Sequence, residues 1–120
     1  MECFEINDRP LVNVKLSDIK GENSINIQVL IDSGFSGWIL VSYDIYKTLN
    51  SLELPITRKY KSVIGNIEVY VAKVIINLGN FRFIGYIESS PYIDINLLGR
   101  EILKKFDLYM YKMKKICIDN

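Results

Sequence analysis

The stretch "VLIDSGFSGWILVS", residues 29–42, runs three apolar residues into one carboxylate, Asp32, then Ser33-Gly34, and returns to apolar sequence after Gly37. An isolated buried carboxylate is costly, because desolvation disfavours its charged form. Asp32 therefore has two outlets: a turn in which its oxygens accept backbone N–H groups, or a position facing a cleft. Asp-Ser-Gly taken alone favours the turn, since Asx-turns before glycine are common.

The sequence around this stretch is dense in Ile, Val, Leu and Tyr and is broken by Gly, Asn, Asp and Ser clusters, the pattern of a strand-rich domain. "PLVNVKL" (10–16) alternates with period two, "SDIKGEN" (17–23) reads as a turn, and "SINIQVLI" (24–31) becomes wholly apolar at its end. That shift marks a strand that starts half-exposed and finishes buried. "WILV" (38–41) resumes strand character, and Ser42 is placed to cap a short helix over 43–50. Residues 56–76 read as two strands about a turn at Gly65-Asn66, and a second hairpin turn is expected at Gly79-Asn80, leading into a strand over 81–87. "ESSPYID" (88–94) reads as a loop, "INLLG" (95–99) as a short strand, and "REILKKF" (100–106) has helical spacing with Ile102, Leu103 and Phe106 on one side. The tail (107–120) reads as two strands about a basic turn at Lys112–Lys115. The expected fold is all-β, a mainly antiparallel closed or partly closed barrel with one or two short helices, in one domain over 1–120.

Composition excludes several function classes. With 15 basic against 14 acidic residues the formal charge is +1, so no whole-chain field favours nucleic acid, an anionic membrane or an acidic substrate. No apolar run approaches the roughly 20 residues needed to span a bilayer. The N-terminus, "MECFEINDRP", is acidic where a signal peptide would be basic, which points to a cytoplasmic protein. Partners expected from these features include neither nucleic acid nor membrane. Only the many tyrosines and the Lys112–Lys115 cluster favour another reading, an unrelated small β-barrel that binds single-stranded nucleic acid.

Histidine is absent, which removes Ser-His-Asp and Cys-His catalysis and most zinc sites. Cys3 and Cys117 lie near opposite ends and cannot make a zinc site without histidines; two buried or half-buried thiols are expected, with a disulfide between the terminal strands as the alternative. "GFSGW" is not a nucleophile elbow, since Trp38 stands where the final glycine belongs. There is no Gly-rich phosphate loop. Neither a metal nor a cofactor is implied. Carboxylate chemistry is what remains.

Here "VLIDSG" followed by apolar sequence resembles the active-site motif of the aspartic proteases, apolar-apolar-Asp-Thr/Ser-Gly, and "INLLGREIL" (95–103) resembles their second signature as it stands in the retroviral-type, retropepsin-like members. The two motifs occur in the family's order, with a Gly-containing hairpin between them where the flap would lie. The resemblance spans residues from about 10 to 119. It implies an acid-protease-like fold, peptide-bond hydrolysis on extended polypeptides, Asp32 as catalytic residue, and Ser33, Gly34, Leu98 and Gly99 as supports of the active-site loop. It also implies substrate contacts at Phe35, Ser36 and the flap tip Ile64-Gly65-Asn66. Phe35 reads equally well as core, Trp38 reads rather as core, and "SVIGNIE" (62–68) can also be an ordinary surface hairpin.

Family chemistry needs two aspartates, and only Asp32 is followed by Ser/Thr-Gly; Asp8, Asp18, Asp44, Asp94, Asp107 and Asp119 are not. The resemblance therefore implies a homodimer with one Asp32 from each subunit. One departure concerns Ser36, which stands where retroviral-type members commonly carry an acid paired with the arginine here numbered 100. Arg100 is expected to be solvated or to pair with Glu101 or Asp94. The alternative reading is a catalytically silent, dimeric peptide-binding module on the same fold.

Overall fold

The structure is a computed structural model describing residues 1–62 and 65–120. Its elements are β1 (Glu2–Glu5), β2 (Leu11–Asp18), β3 (Ser24–Ile31), β4 (Ile39–Leu40), α1 (Tyr43–Leu49), β5 (Glu53–Ser62), β6 (Gly65–Leu78), β7 (Phe81–Ser89), β8 (Leu97–Leu98), α2 (Arg100–Leu103), β9 (Asp107–Tyr111) and β10 (Lys115–Asp119). The larger sheet has the order β2-β3-β8-β4-β7-β6-β5, and an added β2–β6 pairing closes six of these strands into a ring. A second sheet, β1-β10-β9, joins the two ends of the chain. The fold is all-β and mostly antiparallel with two short helices, as expected. The two parallel pairs, β3–β8 and β4–β7, both adjoin the Asp32 loop.

Period two puts one face of each long strand into the ring. In β2, Val12, Val14 and Leu16 are buried while Asn13 and Lys15 are exposed. Val29 of β3, Val74 and Ile76 of β6, Ile87 of β7 and Leu98 of β8 meet them in one core, which Tyr46 and Leu49 of α1 and Ile102 of α2 complete. Burying a Val, Leu or Ile side chain contributes roughly 1.5–3 kcal/mol, so this interior dominates the stability.

Several boundaries differ from the sequence expectation. The N-terminal segment forms β1, whose partner β10 lies at the far end of the chain, a pairing no local pattern announces. Gly65 and Asn66 do not head a turn: they begin β6, Gly65 (φ 131°) pairing with Ser62 and Asn66 with Lys61. Residues 63–64, between β5 and β6, lie outside the described residues. Gly79-Asn80 does form its turn, with Leu78 opposite Phe81 and Gly79 at φ 59°.

The segment read as a loop from 88 begins as strand, because β7 continues through Glu88 and Ser89, both buried. The strand expected over 38–41 shrinks to Ile39–Leu40. The helix expected over 100–106 closes at Leu103, with Ile102 buried and Lys104 and Lys105 exposed. Ser42 sits at the N-cap of α1, but its side chain makes no capping bond.

The preferred reading of the cysteines is corrected. Cys3 and Cys117 face each other in the β1–β10 ladder and form a disulfide, with Cα atoms 4.0 Å apart. Antiparallel pairing of the two chain ends, hidden by a sequence separation of 114, creates the proximity.

Candidate active site

At Ile31 the chain leaves the ladder. The amide of Asp32 donates to the carbonyl of Leu98 at 3.0 Å, and the amide of Phe35 donates to the carbonyl of Asp32 at 3.1 Å. The Asp32 carboxylate accepts the Gly34 amide on Oδ1 at 2.8 Å, an Asx-turn. A Cβ on Gly34 would stand 3.1 Å from that same oxygen, so glycine keeps the turn tight. The side chain of Asp32 is half-buried, Ser33 and Gly34 are exposed, and among the described residues no cation pairs with Asp32. The turn outlet is the one used: one oxygen accepts the Gly34 amide, while the half-buried group still reaches solvent.

The second motif locks onto this loop through its backbone. Leu98 is buried and pairs with Ile31 on one side and Ile39 on the other. Beyond it, the amide of Gly99 donates to the carbonyl of Trp38 at 2.7 Å, that of Arg100 to Phe35 at 2.8 Å and that of Glu101 to Gly37 at 3.0 Å. A helix start leaves amides without intrahelical partners. In α2 the carbonyls of Phe35 and Gly37 fill that role for Arg100 and Glu101, and no side-chain cap is present. A Cβ on Gly99 would lie 2.6 Å from Phe35 Cδ2 and 2.9 Å from the carbonyl carbon of Gly37, so the close approach requires glycine.

The flanking aromatics divide. The Phe35 ring is half-buried and meets Tyr60 edge-on at 5.3 Å. Trp38 is half-buried against the core and meets Tyr86 edge-on at 5.3 Å. Ser36 is exposed. Arg100 is exposed and makes no ion pair among the described residues, while Glu101 pairs with Lys104 at 2.8 Å. The hydrogen bond from Lys104 holds the Glu101 carboxyl below its ordinary range.

Of the residues assigned to the flap, Ile64 lies outside the described residues, and Gly65 and Asn66 are exposed at the start of β6. Asn66 borders a groove of about 540 Å³ between β5, β6 and residues 90–93, lined by Thr57, Tyr70 and Tyr92 among others. Asp32 does not line that groove. The structure therefore brings Asp32, Ser33, Gly34, Phe35 and Ser36 together with Leu98 and Gly99, and leaves Asn66 on the groove between β5, β6 and residues 90–93.

Sequence reading missed Glu88, Tyr60 and Arg58. Glu88 is fully buried, accepts the Trp38 amide on Oε2 at 2.9 Å and the Tyr60 hydroxyl on Oε1, and has Arg58 Nη1 3.6 Å from Oε1. Burial, together with the hydrogen bond to Glu88 and its charge, pushes the Tyr60 hydroxyl well above the ordinary tyrosine range. No short motif signals this cluster, since Tyr60 and Glu88 meet only through the sheet.

No family model matches the chain. An uncharacterized protein of Archaeoglobus fulgidus is 29% identical over 114 residues, covering 88% of each chain. Among solved structures, the protease of EIAV in complex with the inhibitor HBY-793 superposes with a TM-score of 0.60 at 23% identity, over 85% of this chain and 91% of that one. The chain has a retropepsin-like all-β fold. That likeness concerns the fold alone.

Proposed function

We propose that residues 1–120 form one retropepsin-like domain that acts as an aspartic endopeptidase on extended polypeptide. The observation that carries this reading is the lock between the Asp32 loop and the Leu98–Gly99–Arg100 backbone, which leaves a half-exposed carboxylate without a cation partner among the described residues. A carboxylate held this way is available to a second acid and to a water. One chain supplies one such group, so the active species is a homodimer in which two copies of Asp32 face each other across a two-fold axis.

Two carboxylates in contact do not both ionise readily; they share a proton and titrate as a pair, as the dyad of aspartic proteases does. In the proposed reaction the ionised member takes a proton from water as that water attacks the scissile carbonyl. The protonated member supports the carbonyl oxygen, and a proton then passes to the leaving amine. Ser33 and Gly34 shape the loop, Leu98 and Gly99 hold it, and Phe35 and Ser36 border the substrate cleft. The peptide would lie as an added strand, its main chain bonded to backbone groups of the cleft.

The test is subunit mixing. Excess Asp32→Asn chain added to wild type should suppress cleavage of a peptide library through inactive heterodimers, and the pure variant should neither cleave nor respond to pepstatin. Full activity in the pure variant would overturn the assignment. The exposed Arg100, without an ion pair among the described residues, favours a second reading, a silent peptide-binding module on the same fold. That reading is selected if the wild type binds peptides without turning them over.

A further inference from the structure

A fully buried carboxylate is costly unless its oxygens are filled, and those of Glu88 are. The Trp38 amide donates to Oε2 at 2.9 Å, the Tyr60 hydroxyl donates to Oε1, and Arg58 Nη1 lies 3.6 Å from Oε1. The backbone of Glu88 also belongs to the same joint: its carbonyl accepts the Val41 amide at 3.0 Å, and β7 runs parallel to β4 with Glu88 opposite Leu40. A Cβ on Gly37 would collide with Glu88 Oε2, Tyr60 Oη and Phe35 Cζ, so Gly37 and Glu88 are fitted to each other.

The segment 35–38 is thus held from two sides. The amides of Gly99, Arg100 and Glu101 take its carbonyls, and Glu88 takes the amide of Trp38. The other two partners of Glu88, Arg58 and Tyr60, belong to β5, the strand that leads to residues 63–64. Tyr60 also carries the ring against which Phe35 packs. One buried carboxylate therefore joins the stem of the Asp32 loop to β5.

We propose that Glu88 is a positioning residue for the Asp32 loop, its carboxylate tying the Gly37–Trp38 stem to Tyr60 and Arg58 so that the loop and strand β5 are held as one unit. This rests on the reading of Asp32 as the catalytic carboxylate. Glu88 touches no reacting atom. It supplies an internal anion beside a loop whose position 36 is serine, the anchor coming from β7 instead of from the loop itself.

The experiment compares wild type, Glu88→Gln and Tyr60→Phe by residue-resolved amide hydrogen exchange and by peptide hydrolysis. Replacing a charged acceptor with a neutral one should raise exchange at Trp38 by about tenfold, with a smaller rise at Phe35 and at the α2 amides and no change in β2 or β3. Tyr60→Phe, which removes one hydroxyl at a half-buried site, should raise exchange at Trp38 in the same direction and covers the case in which Glu88→Gln fails to fold. In hydrolysis, kcat should fall by about tenfold in Glu88→Gln while KM stays within about twofold, the signature of a misplaced catalytic group with substrate binding retained. Unchanged exchange at Trp38 in the variants, or a rise spread evenly over the core strands, overturns the proposal. If the wild type cleaves no peptide, the exchange pattern still decides the role of Glu88, and it is the endopeptidase reading that fails.

Discussion

The amide of Gly99 donates to the carbonyl of Trp38 at 2.7 Å, joining two residues 61 positions apart through backbone atoms alone. Neither side chain makes this bond, so its requirements fall on shape. The Gly99 Cα must approach the Phe35 ring and the Gly37 peptide, and any Cβ there intrudes.

Gly99→Ala should therefore destabilise the protein through overpacking. The backbone at Gly99 (φ −99°) suits any residue, so the cost is steric, about 1–3 kcal/mol. Urea denaturation with an unchanged m-value would check it. A loss below a few tenths of a kcal/mol would mean the loops separate without penalty.

Asp32→Asn should leave folding nearly untouched while removing the proposed catalysis. The amide oxygen of asparagine can still accept the Gly34 amide, so the turn survives and stability should change by no more than about 0.5 kcal/mol. Thermal melts and peptide cleavage on one preparation separate the two effects.

Reduction of the Cys3–Cys117 bond, or a Cys3→Ser/Cys117→Ser pair, should lower stability by about 2–4 kcal/mol, because the bridge closes a loop spanning nearly the whole chain. Denaturation with and without dithiothreitol measures this, and thiol titration of the untreated protein should find no free cysteine.

Asp18 should make stability sensitive to acid. Burial pushes its carboxyl up, but the Asn23 side chain and the amides of Glu22, Gly21 and Asn23 outweigh this and hold it below its ordinary range. A carboxyl lowered in the folded state stabilises fully above the unfolded value of about 3.9, and that contribution fades as pH falls through the folded value. Asp18→Ala should therefore melt lower than wild type near about pH 7, and the gap should narrow below about pH 4. A gap independent of pH would assign the effect to packing.

Much of this was legible in order along the chain. Period-two alternation marked β2, the shift to wholly apolar sequence marked β3, Gly79-Asn80 marked a hairpin, and the apolar run into Asp32-Ser33-Gly34 marked the loop, because those patterns depend on neighbours a few residues apart. The pairing of "VLIDSG" with "INLLGREIL" also pointed to the retropepsin-like fold. Adjacent residues can specify a strand's face and a turn's backbone, so these features needed no knowledge of what lies across the sheet.

Contacts between distant segments were decided by the tertiary structure. The β1–β10 ladder turned two apparent free thiols into a bridge, and the β4–β7 pairing buried Glu88, which by sequence opened a polar loop. Whether a carboxylate is exposed, paired or sealed depends on which donors the fold carries to it. Asp32 was found in the sequence because its anchor, the Gly34 amide, lies two residues away; Glu88 was not, because its donors lie on Trp38 and Tyr60, reached only when the strands close into a ring.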